Sequence, residues 1–341
     1  MEVNIKTAIE IATAMLHIGE PFMLVGAPGV GKTDIVTQAC DELGYDLLVE
    51  HPVLSDPTDM KGLPWIKEGA DCATFVPFGN VHRIVNATEP LVVFIDDIGQ
   101  AAPAVQASYM QPILARRING HDVPDCVRFV AATNRRQDRA GVSGVLEPVK
   151  SRFATIIHLQ PDRDAWMDWA AQNGIRPEIR AFINWKPEVF HRFEPSADIT
   201  NSPCPRTWAA ASRLTDTALT GAALTAAIAG AVGDGAAAEF IGFLNVYGEL
   251  PSYESIAEDP ANAVVPLGVS SLYAVAAMVA ENTPTTGTKG LNAAFEYAKR
   301  LPEEFGVLLV RDIVRANKNV VKAKVFIEFL RTDLGKLISG R

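Results

Sequence analysis

Five short apolar runs mark the first 160 residues: PFMLV (21–25), LLVE (47–50), LVVFID (91–96), VRFVAAT (127–133) and ATIIHL (154–159). Each is nearly continuous and rich in β-branched or aromatic residues. Strands of that kind are buried on both faces of a parallel sheet. Helical patterns separate them, so the spacing predicts an α/β layer fold around a five-stranded parallel sheet. From Gln160 onward the strands stop. PDRDAWMDWAAQNG (161–174) has the acidic start and Gly stop of a helix, with Trp166 and Trp169 three apart on one face. Helical patterns continue to the end, broken by NSPCP (201–205) and ENTPTTGTKG (281–290). The expected division is an α/β core over 1–160, an all-helical domain over 161–255 and a helical extension over 256–341.

At 48% hydrophobic and 21% charged residues, the chain reads as folded rather than disordered. A net charge of -9 argues against a general nucleic-acid binder. The last 43 residues run the other way, with ten Lys/Arg against five Asp/Glu. Arg311, Arg315, Lys318, Lys322 and Lys324 there form either a solvated face or a contact for an acidic partner. Cys40, Cys72, Cys126 and Cys204 are far apart, which speaks against a zinc site and a disulfide framework. The run Ala218 to Leu244 carries Asp234, Glu239 and five glycines, so it fails as a membrane span and reads as closely packed helices. MEVNIKTAIE has no signal pattern. The expectation is a cytoplasmic protein with no membrane contact.

GAPGVGKT, Gly26 to Thr33, follows the first strand and opens a helix, and it satisfies G-x-x-x-x-G-K-[ST] at every fixed position. Gly26, Gly29 and Gly31 allow backbone N–H groups to wrap phosphates closely, with Ala27, Pro28 and Val30 completing the loop. The helix N-terminus adds positive potential. Lys32 can reach β- and γ-phosphate oxygens, and Thr33 can offer its hydroxyl to Mg²⁺. About sixty residues on, LVVFID ends in Asp96, a carboxylate placed to orient the ion. VRFVAATN ends in Asn134, an amide that either holds the attacking water or γ-phosphate or caps the next turn. Arg152 precedes the last strand. It is surface charge or a finger reaching a neighbour's nucleotide, a device worth about 10³–10⁵ in rate.

In this order the motifs resemble the AAA+ ATPases, and within them the MoxR-like group of the helix-2-insert clade. The likeness covers about residues 1–215. GAPGVGKT stands as Walker A, LVVFIDD as Walker B, AATN as sensor 1, LEPVKSRF as the arginine-finger segment and CPRTWAAASRL (204–214) as the sensor 2 segment, carrying Arg206. HPVLSDPTDMKGLPWIKEGADCATFVPFG (51–79) sits where that clade inserts a β-hairpin, with GLPWI and CATFV as its strands and KEGAD as its turn. ARRINGHDVPDCVRF (115–129) suggests a second hairpin turning at Asn119–Gly120. Each hairpin faces a pore or client, or is plain surface. Asp56 and Asp59 read as turn residues rather than a metal pair. The resemblance implies ATP and Mg²⁺ as cofactors and a ring, commonly a hexamer, with Lys32, Asp96 and Asn134 acting in cis. Arg152 would act in trans, with Arg135, Arg136 and Arg139 as rivals. It implies protein remodelling with a separate von Willebrand factor A-type partner.

One departure matters. The family pattern is Asp-Glu, and this chain has Asp96-Asp97. The shorter acid withdraws by about 1 Å, a misplacement that can cost about 10²-fold. Charge and hydrogen-bonding group survive, and Gly99 offers backbone freedom. Three readings stand: slow hydrolysis in an assembled ring, a nucleotide switch with negligible turnover, or Asp97 as a cap while another residue orients water. A nucleic-acid motor or loader is the alternative to protein remodelling, with the basic tail and ARRING in its favour.

Overall fold

The computed structural model describes every residue except 67, 70, 139–143, 195–197, 285–287, 340 and 341. Apart from residues 193–195, the contacts divide the chain at Asp162/Arg163 into two units.

The first unit holds β1 (Glu2–Val3), β2 (Phe22–Val25), β3 (Asp46–Glu50), β4 (Leu63–Trp65), β5 (Thr74–Val76), β6 (Leu91–Ile95), β7 (Arg117–Ile118), β8 (His121–Asp122), β9 (Val127–Thr133) and β10 (Thr155–Leu159). Its helices are α1 (Ile5–Ile18), α2 (Lys32–Leu43), α3 (Gly79–Val85), α4 (Pro103–Ser108), α5 (Met110–Ala115) and α6 (Glu147–Lys150). The main sheet is parallel throughout, in the order β1-β10-β2-β9-β6-β3. The five apolar runs are its five principal strands. The sixth, β1, is two residues long and too short for a hydrophobic pattern to reveal. It pairs Glu2 with His158 and Val3 with Leu159.

The continuous apolar runs follow from burial on both faces. Val92 and Phe94 pack with Ile35, Val36 and Ala39 of α2, while Val93 and Ile95 pack with Ile98, Tyr109 and Ile113. Helix α1 begins where Asn4 Oδ1 accepts the Thr7 N–H at 2.9 Å, and it ends on left-handed Gly19.

Both expected hairpins are present. β4 and β5 are antiparallel, with Pro64 opposite Phe75, and all six strand residues are exposed. Gly62 enters this hairpin at φ +85°, and a Cβ there would lie 2.6 Å from Val76 O, so only glycine fits. Of the expected KEGAD turn, Lys67 and Ala70 lie outside the described residues. The second hairpin turns at Asn119–Gly120, with φ +45° and +88°. The hairpins are stapled together: Asn119 Nδ2 donates to Lys61 O at 2.6 Å, and His121 Nε2 lies 3.1 Å from Phe75 O. Asp56 and Asp59 serve a turn, as expected. Asp56 Oδ1 accepts the Thr58 N–H at 2.9 Å and Asp59 Oδ2 accepts the Asp56 N–H at 2.8 Å. Among the described residues no cluster of three His, Cys, Asp or Glu could hold a metal.

The second unit is helical among its described residues: α7 (Arg163–Gln172), α8 (Pro177–Trp185), α9 (Pro205–Thr215), α10 (Gly221–Val232), α11 (Asp234–Gly248), α12 (Tyr253–Glu258), α13 (Val269–Asn282), α14 (Lys289–Ala298), α15 (Glu303–Ala316), α16 (Lys324–Phe329) and α17 (Asp333–Ser339). The Ala-rich run is two helices, broken at Gly233, that pack through Ala231, Val232, Ala236 and Ala237. No helix among the described residues is long and apolar enough to cross a membrane. One apolar core gathers Phe182, Trp208, Phe240 and Phe243, with ring centroids 5.3 to 5.9 Å apart. A second gathers Phe295, Phe305, Phe326 and Phe329. Helix α13 serves both: Ala274 and Ala277 enter the first, Val275 and Val279 the second.

Charge also crosses this unit. Arg315 Nε donates to Asp168 Oδ1 at 2.6 Å and Nη1 to Asp312 Oδ1 at 3.3 Å, and Nη2 lies 3.6 Å from Asp164. Arg180, which is buried, pairs with Glu281. One of the five basic tail residues is thus turned inward, while Arg311, Lys318, Lys322 and Lys324 stay exposed. Removing one partner of a buried pair typically costs about 3–5 kcal/mol. Arg315→Ala leaves Asp312 buried without its nearest cation and is expected to destabilise the helical unit by about 3 kcal/mol in urea denaturation. A loss below about 1 kcal/mol would place the network among ordinary surface pairs.

Candidate nucleotide site

The loop after β2 is shaped by its glycines. Gly26 donates its N–H to Thr133 O at 3.2 Å, which ties the loop to β9. A Cβ on Gly26 would sit 3.0 Å from Val30 and 3.1 Å from Leu159. Gly29 and Gly31 have φ of +73° and +99°, in the region that disfavours side chains. Ala27 and Val30 are buried beneath the loop and hold it down. Gly31 starts α2 with no side-chain cap, so the positive end of the helix faces the loop.

Lys32 is only 8% exposed. Its Nζ donates to Gly26 O at 3.0 Å, Ala27 O at 3.1 Å and Asn134 Oδ1 at 2.7 Å. Asn134 is buried as well, and its Nδ2 donates to Asp97 Oδ1 at 3.1 Å. The amide orientation follows from chemistry: an ammonium only donates and a carboxylate only accepts. Asp96 is held twice, by the Asp97 N–H at 3.0 Å and by the Thr33 hydroxyl at 3.5 Å, the outer limit for a hydrogen bond. Residues from the ends of β6 and β9 and from the loop after β2 thus meet at one end of the sheet. Lys32 and Asn134 are 102 positions apart in the chain.

Asp97 takes the left-handed conformation, φ +54° and ψ +35°. The backbone freedom expected at Gly99 is not where the turn is made; Gly99 lies inside a short 3₁₀ turn. Left-handed geometry costs an ordinary L-residue about 1–2 kcal/mol, and Asp and Asn are the non-glycine residues that visit it most readily. The turn therefore suits aspartate over glutamate at the second acidic position.

The arginines separate. Arg152 Nε donates to Met110 O at 2.9 Å and Nη1 to Pro148 O, so its guanidinium is seated on α5 and α6 of its own unit. Arg135 forms a two-pronged pair with buried Asp138, at 3.0 and 2.9 Å, and that hydrogen bonding favours its charged form. Arg136 is exposed. Arg139 lies outside the described residues. Arg206 is exposed in the first turn of α9, in the helical unit.

Residues 22–161 match the family model "ATPase family associated with various cellular activities (AAA)". The matched stretch, under half of the chain, is similar to an AAA module. The Holliday junction branch migration complex subunit RuvB of Treponema denticola is 30% identical over 107 residues, 31% of this chain. The chain spans about a quarter of that relative's length, with 24% covered. Two solved RuvB structures from Thermotoga maritima are also similar. One, described as the Holliday junction branch migration motor, is 22% identical with a TM-score of 0.39 over 80% of each chain. A point mutant is 20% identical with a TM-score of 0.41 over 76% of each chain.

The AAA module implies ATP with Mg²⁺, and the residues fit. A buried ammonium on carbonyl oxygens, an uncapped helix start and a Thr hydroxyl beside a carboxylate are the groups such a ligand requires. Lys32 and the backbone of Gly26, Ala27, Pro28, Gly29, Val30 and Gly31 would hold phosphates. Thr33 and Asp96 would hold the ion. Sequence reasoning missed the left-handed turn at Asp97 and the Asn134 bridge from Lys32 to Asp97. The only available signal was an Asp at a position where the family favours Glu.

The turn makes a stability prediction. Asp97→Glu is expected to destabilise the module by about 1 kcal/mol. Asp97→Asn, which tolerates the same backbone and still accepts from Asn134, should stay within about 0.5 kcal/mol. Urea denaturation of both variants checks this, and a Glu variant as stable as wild type contradicts it.

Proposed function

We propose that this chain is a Mg·ATP-dependent ATPase that works as a ring on a macromolecular client. The carrying observation is the bridge Lys32–Asn134–Asp97 beside the Thr33–Asp96 pair. Lys32 binds and orients the β- and γ-phosphates. Mg²⁺ held by Thr33 and Asp96 would supply positive charge beside the phosphate oxygens. Asp97 orients the attacking water, and Asn134 fixes one of its carboxylate oxygens. The reach of the acid is then set by an anchored amide and a left-handed turn rather than by one more methylene. Slow but real hydrolysis fits this better than a pure switch, because a binder has little need of a fixed acid.

Arg152 is the candidate finger for a neighbour's nucleotide. Two backbone carbonyls of its own unit hold the guanidinium in place. Arg206 is the candidate sensor from the helical unit. A hexamer is the expected ring.

A protein client is favoured by the exposed apolar hairpin, with Leu63, Trp65, Ile66, Phe75 and Val76 at the surface of an acidic chain. The MoxR-like assignment and a von Willebrand factor A-type partner rest on the sequence resemblance alone. The similarity to RuvB favours a second reading, a nucleic-acid motor.

Phosphate release measured against protein concentration tests the main reading. Specific activity is expected to rise as the ring assembles. Asp97→Asn and Arg152→Ala are each expected to lower it by about 10²-fold or more. Binding of ATP with no turnover at any concentration would make this protein a switch. Stimulation by DNA that falls steeply with salt would favour the motor.

A further inference from the structure

Gln106 lies in α4, the helix that follows the Walker B turn, and it is 0% exposed. A polar side chain so enclosed must have its groups met. Nε2 donates to Ala101 O at 3.0 Å and to Gly144 O at 3.0 Å, and Oε1 accepts the Leu146 N–H at 3.0 Å. The orientation of the amide follows from its partners: a backbone N–H only donates and a carbonyl only accepts. Gly144 and Leu146 lie 38 and 40 positions further along the chain. One buried amide therefore joins the segment after Walker B to the segment before Arg152.

Both ends of that joint bear on the site. Ala101 closes the 3₁₀ turn that starts at Asp97, donating its N–H to Ile98 O at 3.2 Å, and both Ile98 and Ala101 are buried. Leu146 opens α6, and its carbonyl accepts the N–H groups of Val149 and Lys150 at 2.9 and 3.0 Å. Arg152 comes two residues after α6 ends and is held by Met110 O, at the start of α5, and by Pro148 O, within α6. The two ends are not equally firm. The turn is backed by β6, whose five residues are all buried. Helix α6 has four residues, no side-chain cap, and only Val149 buried. A helix that short has little stability of its own, so its place depends on what holds its first residue.

We propose that Gln106 is a positioning residue for Arg152. It pins the start of α6 to the Walker B turn of the same subunit, and so sets where the guanidinium stands when a neighbour's nucleotide meets it. Gln106 acts through α6 and not on the nucleotide. This rests on the ATPase reading above, with Arg152 acting in trans.

The test mixes full chains. Asp97→Asn chains lack the acid but keep a finger, and Arg152→Ala chains lack the finger but keep the acid. Each alone is expected to be nearly inactive. Their mixture is expected to regain phosphate release where the first lends its finger to the second. Gln106→Met keeps the length of the side chain and removes all three hydrogen bonds, and it is added to either chain in turn. In the finger donor it is expected to lower the regained rate at least about tenfold, since a misplacement of about 1 Å can cost about 10²-fold. In the acid-bearing chain the regained rate is expected to stay within about threefold, and KM for ATP within about twofold in both mixtures. Equal losses in the two chains would make Gln106 a general support of the fold and overturn the proposal, as would an undiminished rate with the altered donor. If Gln106→Met does not fold, Gln106→Glu, whose carboxylate still accepts from Leu146 but donates to neither carbonyl, is read the same way. If wild type hydrolyses ATP and the unaltered mixture regains nothing, Arg152 is not the finger, and the proposal falls while the ATPase reading stands. A wild type without turnover overturns the ATPase reading itself, and the positioning role with it.

Discussion

A buried lysine sets the terms for the first unit. Lys32 carries its charge to an almost fully enclosed position at one end of the sheet, and a charge there is tolerated only if its donors are met. Two of its hydrogen bonds close on the loop that bears it, and a third reaches Asn134 at the end of β9. Every other part of the site is arranged around that requirement. The glycines bend the loop so that its carbonyls turn inward. The parallel strand order brings β9 beside β2, so that an amide from a remote segment stands at the right place. Asn134 then passes the constraint to Asp97.

Most of the fold was legible in the residues because both-face burial leaves a strong mark. Five runs with little polar interruption predicted strands of one parallel sheet, and each is one, four of them interior and β3 at its edge. The edge strand β1 was hidden, since two residues carry no period. The phosphate loop was legible because its glycines and lysine are needed one by one. Asp97 was legible as an anomaly but not as a conformation: a left-handed residue is a property of the turn, and no neighbour in IDDIGQ announces it. Glu50 looked like the polar end of LLVE. Only packing shows that its side chain is enclosed, with Oε1 buried and without a hydrogen-bond partner.

Charge was the least readable layer. Counting basic residues in the last 43 positions suggests an open cationic face. Arg315 belongs to none, because it is consumed by Asp164, Asp168 and Asp312. A formal charge total weighs such a residue equally with Lys324, which is 88% exposed, although only the latter meets solvent and partners.

Helix α13 gives neighbouring faces to two aromatic cores, Ala274 and Ala277 to one, Val275 and Val279 to the other. Neither core can lose this helix without exposing the apolar side of the other's wall. Local opening in the helical unit therefore has no natural halfway point at α13. Loss of either aromatic cluster propagates into the second, so the two behave as a single cooperative foldon, and amide protection should be highest and most uniform along α13 itself.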